Sequence, residues 1–176
     1  MHLKLLPLLI MALLGSSVCL AATFSKENIT TATLDNGLKI LLFEDHGIPN
    51  IAYYTFYRVG SRNERPGLTG VSHFIEHMMF NGTAETGPGQ LDRIMEFNGG
   101  ANNAYTSDDM TAYTDWFPVA ALEKMMAIEA DRMQGLIFDP EVLESERGVV
   151  ASERRMSVEN NNASLLDETV RATAIM

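Results

Sequence analysis

The sequence predicts an α+β domain, an antiparallel sheet with helices packed against it, and three observations carry that expectation. Short runs of β-branched and aromatic residues, separated by tight-turn signals, occupy residues 31–59 and recur at 101–106 and 110–117, as antiparallel strands do. Elsewhere apolar residues return at steps of three and four, the helical pattern. With 176 residues and 46% hydrophobic content, the chain can bury a core of its own.

The first residues are expected to lie outside that domain. Met1-His2-Leu3-Lys4 supplies a positive charge, residues 5–14 form an apolar run, and Cys19-Leu20-Ala21 ends in the small residues a signal peptidase reads. We therefore expect a signal peptide over residues 1–21 and a domain over 22–176, exported to the periplasm or secreted. Gly15-Ser16-Ser17 breaks the apolar run short of a bilayer's thickness, so no stable membrane span is expected. A lipid anchor at Cys19 is disfavoured by the branched Val18 before it. Cys19 is the only cysteine, which leaves the mature domain without disulfides or a thiol nucleophile. The net charge of −10 argues against a nucleic-acid partner.

Taken in order, residues 31–34 read as a strand, Asp35-Asn36-Gly37 as a tight turn and residues 38–43 as the returning strand. Residues 51–59 are expected to complete the same small sheet. A polar loop over 60–67 delivers the chain to an apolar helix near residues 70–80. A short helix begins at Gln90, with Leu91, Ile94 and Met95 on one face, and Gly99-Gly100 ends it. Two strands follow, joined at Ser107-Asp108-Asp109. Residues 119–133 form a helix whose Leu122, Met125, Met126 and Met133 are expected to fill the core. Asp139-Pro140 opens the next helix, with Asp139 as its cap and Pro140 in the first helical position.

The chemistry is concentrated in His73-Phe74-Ile75-Glu76-His77. Two histidines four residues apart project from one helix face, where both imidazoles can reach one metal ion. Glu76 is rotated away from that ion, yet near enough to act as base on water activated there. The spacing is the inverted form of the zinc-peptidase motif. Chance recurrence and a packed pair of histidines are the bland alternatives. Against them, Leu68, Val71, Phe74, Ile75, Met78, Met79 and Phe80 make the helix apolar nearly all round, and histidines buried there need partners.

A catalytic zinc takes three protein ligands. On the later helix the expected inward stripe is Val142, Glu146, Val149, Glu153 and Met156, which puts two carboxylates on a face that ought to be apolar. Either could be the third ligand. With Glu153 chosen, Glu146 supports a ligand imidazole. Periodicity leaves the reverse assignment open.

From residue 34 to about 156 the sequence resembles the pitrilysin/insulinase family of zinc peptidases. The resemblance rests on His73-Phe74-Ile75-Glu76-His77 followed at long range by Glu146-Arg147-Gly148-Val149-Val150-Ala151-Ser152-Glu153, with Gly99-Gly100 and Asn103-Ala104-Tyr105-Thr106 between them. It implies that His73, His77 and Glu153 hold zinc, that Glu76 is the catalytic base and that Glu146 is a supporting acid. It further implies that the strand carrying Asn103 and Ala104 holds a peptide or unfolded polypeptide substrate by main-chain pairing. The implied activity is metalloendopeptidase; the alternative is a non-catalytic, polypeptide-binding subunit of the same fold. Family members repeat this domain, so the 176-residue chain is expected to be one part that works with a second homologous domain or subunit.

Overall fold

The structure, a computed structural model, describes residues 28–174. The expected signal peptide lies outside the described residues. The chain divides into two units, the first ending at Ile48 and the second beginning at Pro49.

The described part of the first unit is a hairpin of β1 (Ile29–Thr33) and β2 (Lys39–Phe43), paired from Ile29 against Phe43 to Thr33 against Lys39. Gly37, at φ +86°, takes the left-handed conformation that the turn demands. Asn36 Oδ1 accepts from the Leu38 amide at 3.0 Å, the local side-chain bond that favours Asn in turns.

In the second unit, β3 (Asn50–Tyr57), β4 (Ala101–Thr106) and β5 (Thr111–Pro118) form an antiparallel sheet in the order β3-β5-β4. The expectation that β3 would join the hairpin is corrected, because its eight residues pair with β5 from Asn50–Pro118 to Tyr57–Thr111. Only the local hairpin is announced by a turn; the β3–β5 pairing closes over more than fifty residues and leaves no mark in sequence.

The strands alternate as a sheet covered on one side should. Thr55, Tyr113, Asp115 and Phe117 are buried, whereas Tyr54, Phe56, Tyr105 and Trp116 remain substantially exposed. Ala112 is fully buried on the outer side, registered between Phe56 and Tyr105. On the inner side the core gathers Met95, Phe117, Ala121 and Met125, with Ile51, Tyr53, Ile94, Leu122 and Ile128 packed around it.

Among the described residues five α-helices accompany the sheet: α1 (Val71–Met78), α2 (Gln90–Phe97), α3 (Leu122–Gly135), α4 (Pro140–Arg154) and α5 (Asn162–Ala174). The helix expected from Val119 begins instead with a 3-10 turn, Val119–Ala121. Its Met125 is core, but Met126 is 47% exposed, one residue round from the buried face. At the α2 end, Gly99 at φ +75° lets the Gly99 and Gly100 amides return to the Glu96 and Met95 carbonyls, both at 2.9 Å. Asp139 caps α4 as expected, its Oδ1 accepting from the Glu141 and Val142 amides at 2.9 and 3.2 Å.

Beneath the sheet lies a charged cluster that the sequence does not announce. Arg132 and Glu129 of α3 are both buried, joined by two hydrogen bonds into Glu129 Oε2 at 2.7 and 2.9 Å, and Asp115 of β5 is buried with them. The guanidinium lies over the Tyr113 ring at 4.5 Å and near Phe80 at 5.7 Å, so its apolar faces are covered as well as its charge. Burial, the largest influence, together with Asp115 pushes the Glu129 carboxyl up to about 7 against the pull of Arg132.

Candidate metal centre

Helix α1 is oriented by a residue outside it. Glu64 takes the amide hydrogens of Gly70 and Ser72 on its two oxygens, both at 2.7 Å, satisfying orphan donors at the helix start. Burial works to raise its pKa, but those backbone bonds prevail and hold it below the usual carboxylate value.

The helix is not apolar all round in its setting. Val71 and Ile75 are 43% and 37% exposed, while Ser72, Glu76 and Met78 are buried. The face that turns inward thus carries a hydroxyl and a carboxylate, a reversal that hydrophobic patterning cannot anticipate. Between these faces stand His73 and His77, their rings perpendicular at 88° with centroids 4.7 Å apart.

Their Nε2 atoms are 3.2 Å apart. Glu153 of α4 brings Oε2 to 3.3 Å from His77 Nε2 and 3.7 Å from His73 Nε2. Donors bound at about 2.05 Å to a tetrahedral zinc stand roughly 3.3 Å from one another, so the triangle has the dimensions of one face of that tetrahedron. The three groups meet the conditions for a shared metal ion. Two imidazole nitrogens and a carboxylate oxygen converging so closely form a donor set that a cation would satisfy.

Glu146 lies on the far side of His77. Its Oε1 is 2.7 Å from Nδ1 of that ring, and its Oε2 accepts from the Asn81 amide at 2.9 Å. Asn81 also donates to the His77 carbonyl at 3.1 Å, one turn back along the chain. A carboxylate can only accept, so a neutral His77 carries its proton on Nδ1 and presents the Nε2 lone pair toward the centre.

The two acids of α4 are not equally covered. Side-chain exposure is 15% at Glu146 and 48% at Glu153, and Val149 and Met156 of the expected inward stripe are 49% and 76% exposed. The uniform burial expected for that stripe is therefore corrected. Among the described residues, the second half of α4 borders a shallow open groove lined by Val149, Ser152, Glu153 and Met156.

Asn103 and Ala104 occupy β4, an edge strand that pairs with β5 alone among the described strands. They belong to opposite faces: Ala104 is registered against Tyr113 on the inner side, Asn103 against Thr114 on the outer. Sequence reasoning missed Asn81, whose placement four residues after His77 could have suggested it. It missed Glu64 and Thr106 as well; Thr106 donates a hydrogen bond to Glu76 Oε2, a contact between β4 and α1 that no local spacing encodes.

Fold and centre together define an α+β domain with an inverted histidine motif on one helix and an acid from a second helix completing a metal-sized triangle. The comparisons give that class its family. The family model described as Insulinase (Peptidase family M16) matches residues 44–176, and the chain belongs to that family. It is 35% identical over 156 residues to the zinc protease PqqE of Helicobacter pylori, covering 87% of this chain and 34% of PqqE. Among solved structures, it matches a protease from Helicobacter pylori at a TM-score of 0.76 and 34% identity, over 78% of this chain and 33% of that one. The first half of the periplasmic protease PqqL from Escherichia coli matches at 0.74 and 30% identity, over 82% and 32%. This chain thus spans about a third of the length of these relatives.

Proposed function

We propose that this chain carries the catalytic centre of a zinc-dependent metalloendopeptidase acting on peptides or unfolded polypeptides. The observation that carries the reading is the triangle of His73 Nε2, His77 Nε2 and Glu153 Oε2, with edges of 3.2, 3.3 and 3.7 Å. These three side chains would hold the zinc, the metal named in the relatives. When bound, zinc polarises a scissile carbonyl and lowers the pKa of water beside it.

The chain's own residues supply the rest. Glu146 fixes the His77 tautomer and ring orientation. Glu76, 7% exposed and one residue before a ligand, takes the proton of the attacking water and passes it to the leaving amine. The edge of β4 that no described strand pairs offers main-chain groups to an extended peptide, with Asn103 and Ala104 alongside it. A purely polypeptide-holding role would leave Glu76 without a use. We infer further that a second homologous domain or subunit completes the substrate chamber, and that the protein is exported and works in the periplasm, as PqqL does by its description.

The test is peptide cleavage by the complete gene product. Glu76→Gln should reduce kcat by at least about a hundredfold with zinc content unchanged, whereas His77→Ala and Glu153→Ala should lose the metal. A Glu76→Gln protein that cleaves at the native rate would overturn the assignment.

A further inference from the structure

We propose that Thr106 is a positioning residue for Glu76, holding one oxygen of its carboxylate so that the other meets the attacking water in a fixed orientation. The proposal rests on the peptidase reading above.

Glu76 is buried, and its Oε2 accepts the hydroxyl hydrogen of Thr106 at the last position of β4. Thr106 is the hydrogen-bond partner of this carboxylate among the described residues. The terminal torsion of a glutamate is broad, so an unheld carboxylate would sample many orientations. A bond to one oxygen removes that freedom.

The hydroxyl is itself directed. Thr106 is registered opposite Thr111, and their Oγ1 atoms are 3.3 Å apart. Thr111 is 4% exposed and donates its own hydrogen to the Val59 carbonyl at 3.0 Å. It therefore presents only lone pairs to Thr106, whose single hydrogen goes to the stronger acceptor, the carboxylate. β-branching further restricts the Thr106 rotamer. The chain from the Val59 carbonyl through two threonines to Glu76 ties the base to the sheet rather than to its own helix alone.

The test compares Thr106→Val, Thr106→Ala and Thr106→Ser in the complete, zinc-loaded gene product, with wild type and Glu76→Gln as references, on an internally quenched peptide. Hydrogen bonds to charged groups predict that Val and Ala lower kcat by about 10- to 100-fold. KM should stay within about twofold and zinc content should not change, because no ligand is altered and the main-chain groups of β4 stay in place. Thr106→Ser, which keeps the hydroxyl, should recover kcat to within about threefold of wild type. Should the Val variant fail to fold, Ala carries the comparison, since it adds no bulk.

Native kcat in the hydroxyl-free variants overturns the proposal, and so does a loss that Ser does not recover or one that appears in KM or zinc content. If wild type does not cleave, or Glu76→Gln still does, the peptidase reading fails and Thr106 falls with it. If those two behave as expected while Thr106→Val cleaves normally, only the positioning role is lost.

Discussion

Nδ1 of His77 and Oε1 of Glu146 stand 2.7 Å apart, and that one contact decides which nitrogen of the ring can turn toward a metal. A neutral imidazole has one protonated nitrogen; with Nδ1 donating to the carboxylate, Nε2 is the unprotonated one and faces His73 and Glu153. In the proposed zinc centre Glu146 would act through His77, outside the ligand set.

Its removal should weaken metal binding without abolishing it. Glu146→Ala is expected to lower zinc affinity by about 10- to 100-fold, the range for partners of ligand histidines. Glu146→Gln, which keeps an acceptor oxygen, should lie between Ala and wild type. Competition against a chromophoric chelator measures both, and equal affinity in all three proteins would refute the role given to this contact.

The start of α1 depends on Glu64, which takes two amide hydrogens there. Replacing it by alanine should cost about 0.5–2 kcal/mol, the range for a lost cap. Its folded pKa is depressed, so the sign is fixed: its stabilisation is present above the unfolded carboxylate value and is lost as pH falls through the folded one. Urea denaturation of wild type and Glu64→Ala should therefore converge in strong acid.

Glu129 has the opposite sign. Its folded pKa, pushed up to about 7, lies above its ordinary value of 4.5, so the folded state keeps a proton that the unfolded chain gives up between those values. Through this group the unfolding free energy falls as pH rises across that window and is level beyond it. Glu129→Gln imitates the protonated form and should flatten the decline, read as the difference in urea midpoint between pH 5 and pH 8. An unchanged difference would mean that the proton resides elsewhere.

A fourth expectation concerns Gly60. A Cβ there would stand 2.2 Å from the Ser107 carbonyl oxygen, although φ is −162° and suits any residue. The restriction is one of space. Gly60→Ala must push away the β4–β5 turn, which the Ser61 and Arg62 amides grip through the Ser107 and Asp108 carbonyls at 3.1 and 2.9 Å. We expect a loss of about 1–3 kcal/mol, measured by thermal unfolding.

What could be read beforehand was local. The spacing of His73 and His77, the Asp139-Pro140 helix start, the Asn36-Gly37 turn and the glycine stop after α2 are each encoded within a few residues, and each is found. The misfit of acids on an apolar stripe singles out Glu146 and Glu153 together, and the family resemblance alone favours Glu153 as the ligand; in the fold Glu153 is grouped with His73 and His77, on a stripe more open than periodicity implies. Arg132, Thr106 and Asn81 escaped notice for a common reason. Their partners are chosen by the packing of β4, β5, α3 and α4 around α1, and a charged or hydroxyl residue reads in sequence as a solvated one until that packing is known.

The single tryptophan of the chain, Trp116, is 48% exposed on the side of the sheet that Tyr54 and Phe56 share. Glu76 meets the opposite side, through Thr106. Selective excitation of that indole consequently gives a fluorescence gauge of one surface: its emission should shift to the blue when another polypeptide covers the sheet, and should hardly respond when the ion is added or stripped. Covering of that surface can thus be read without interference from metal loading.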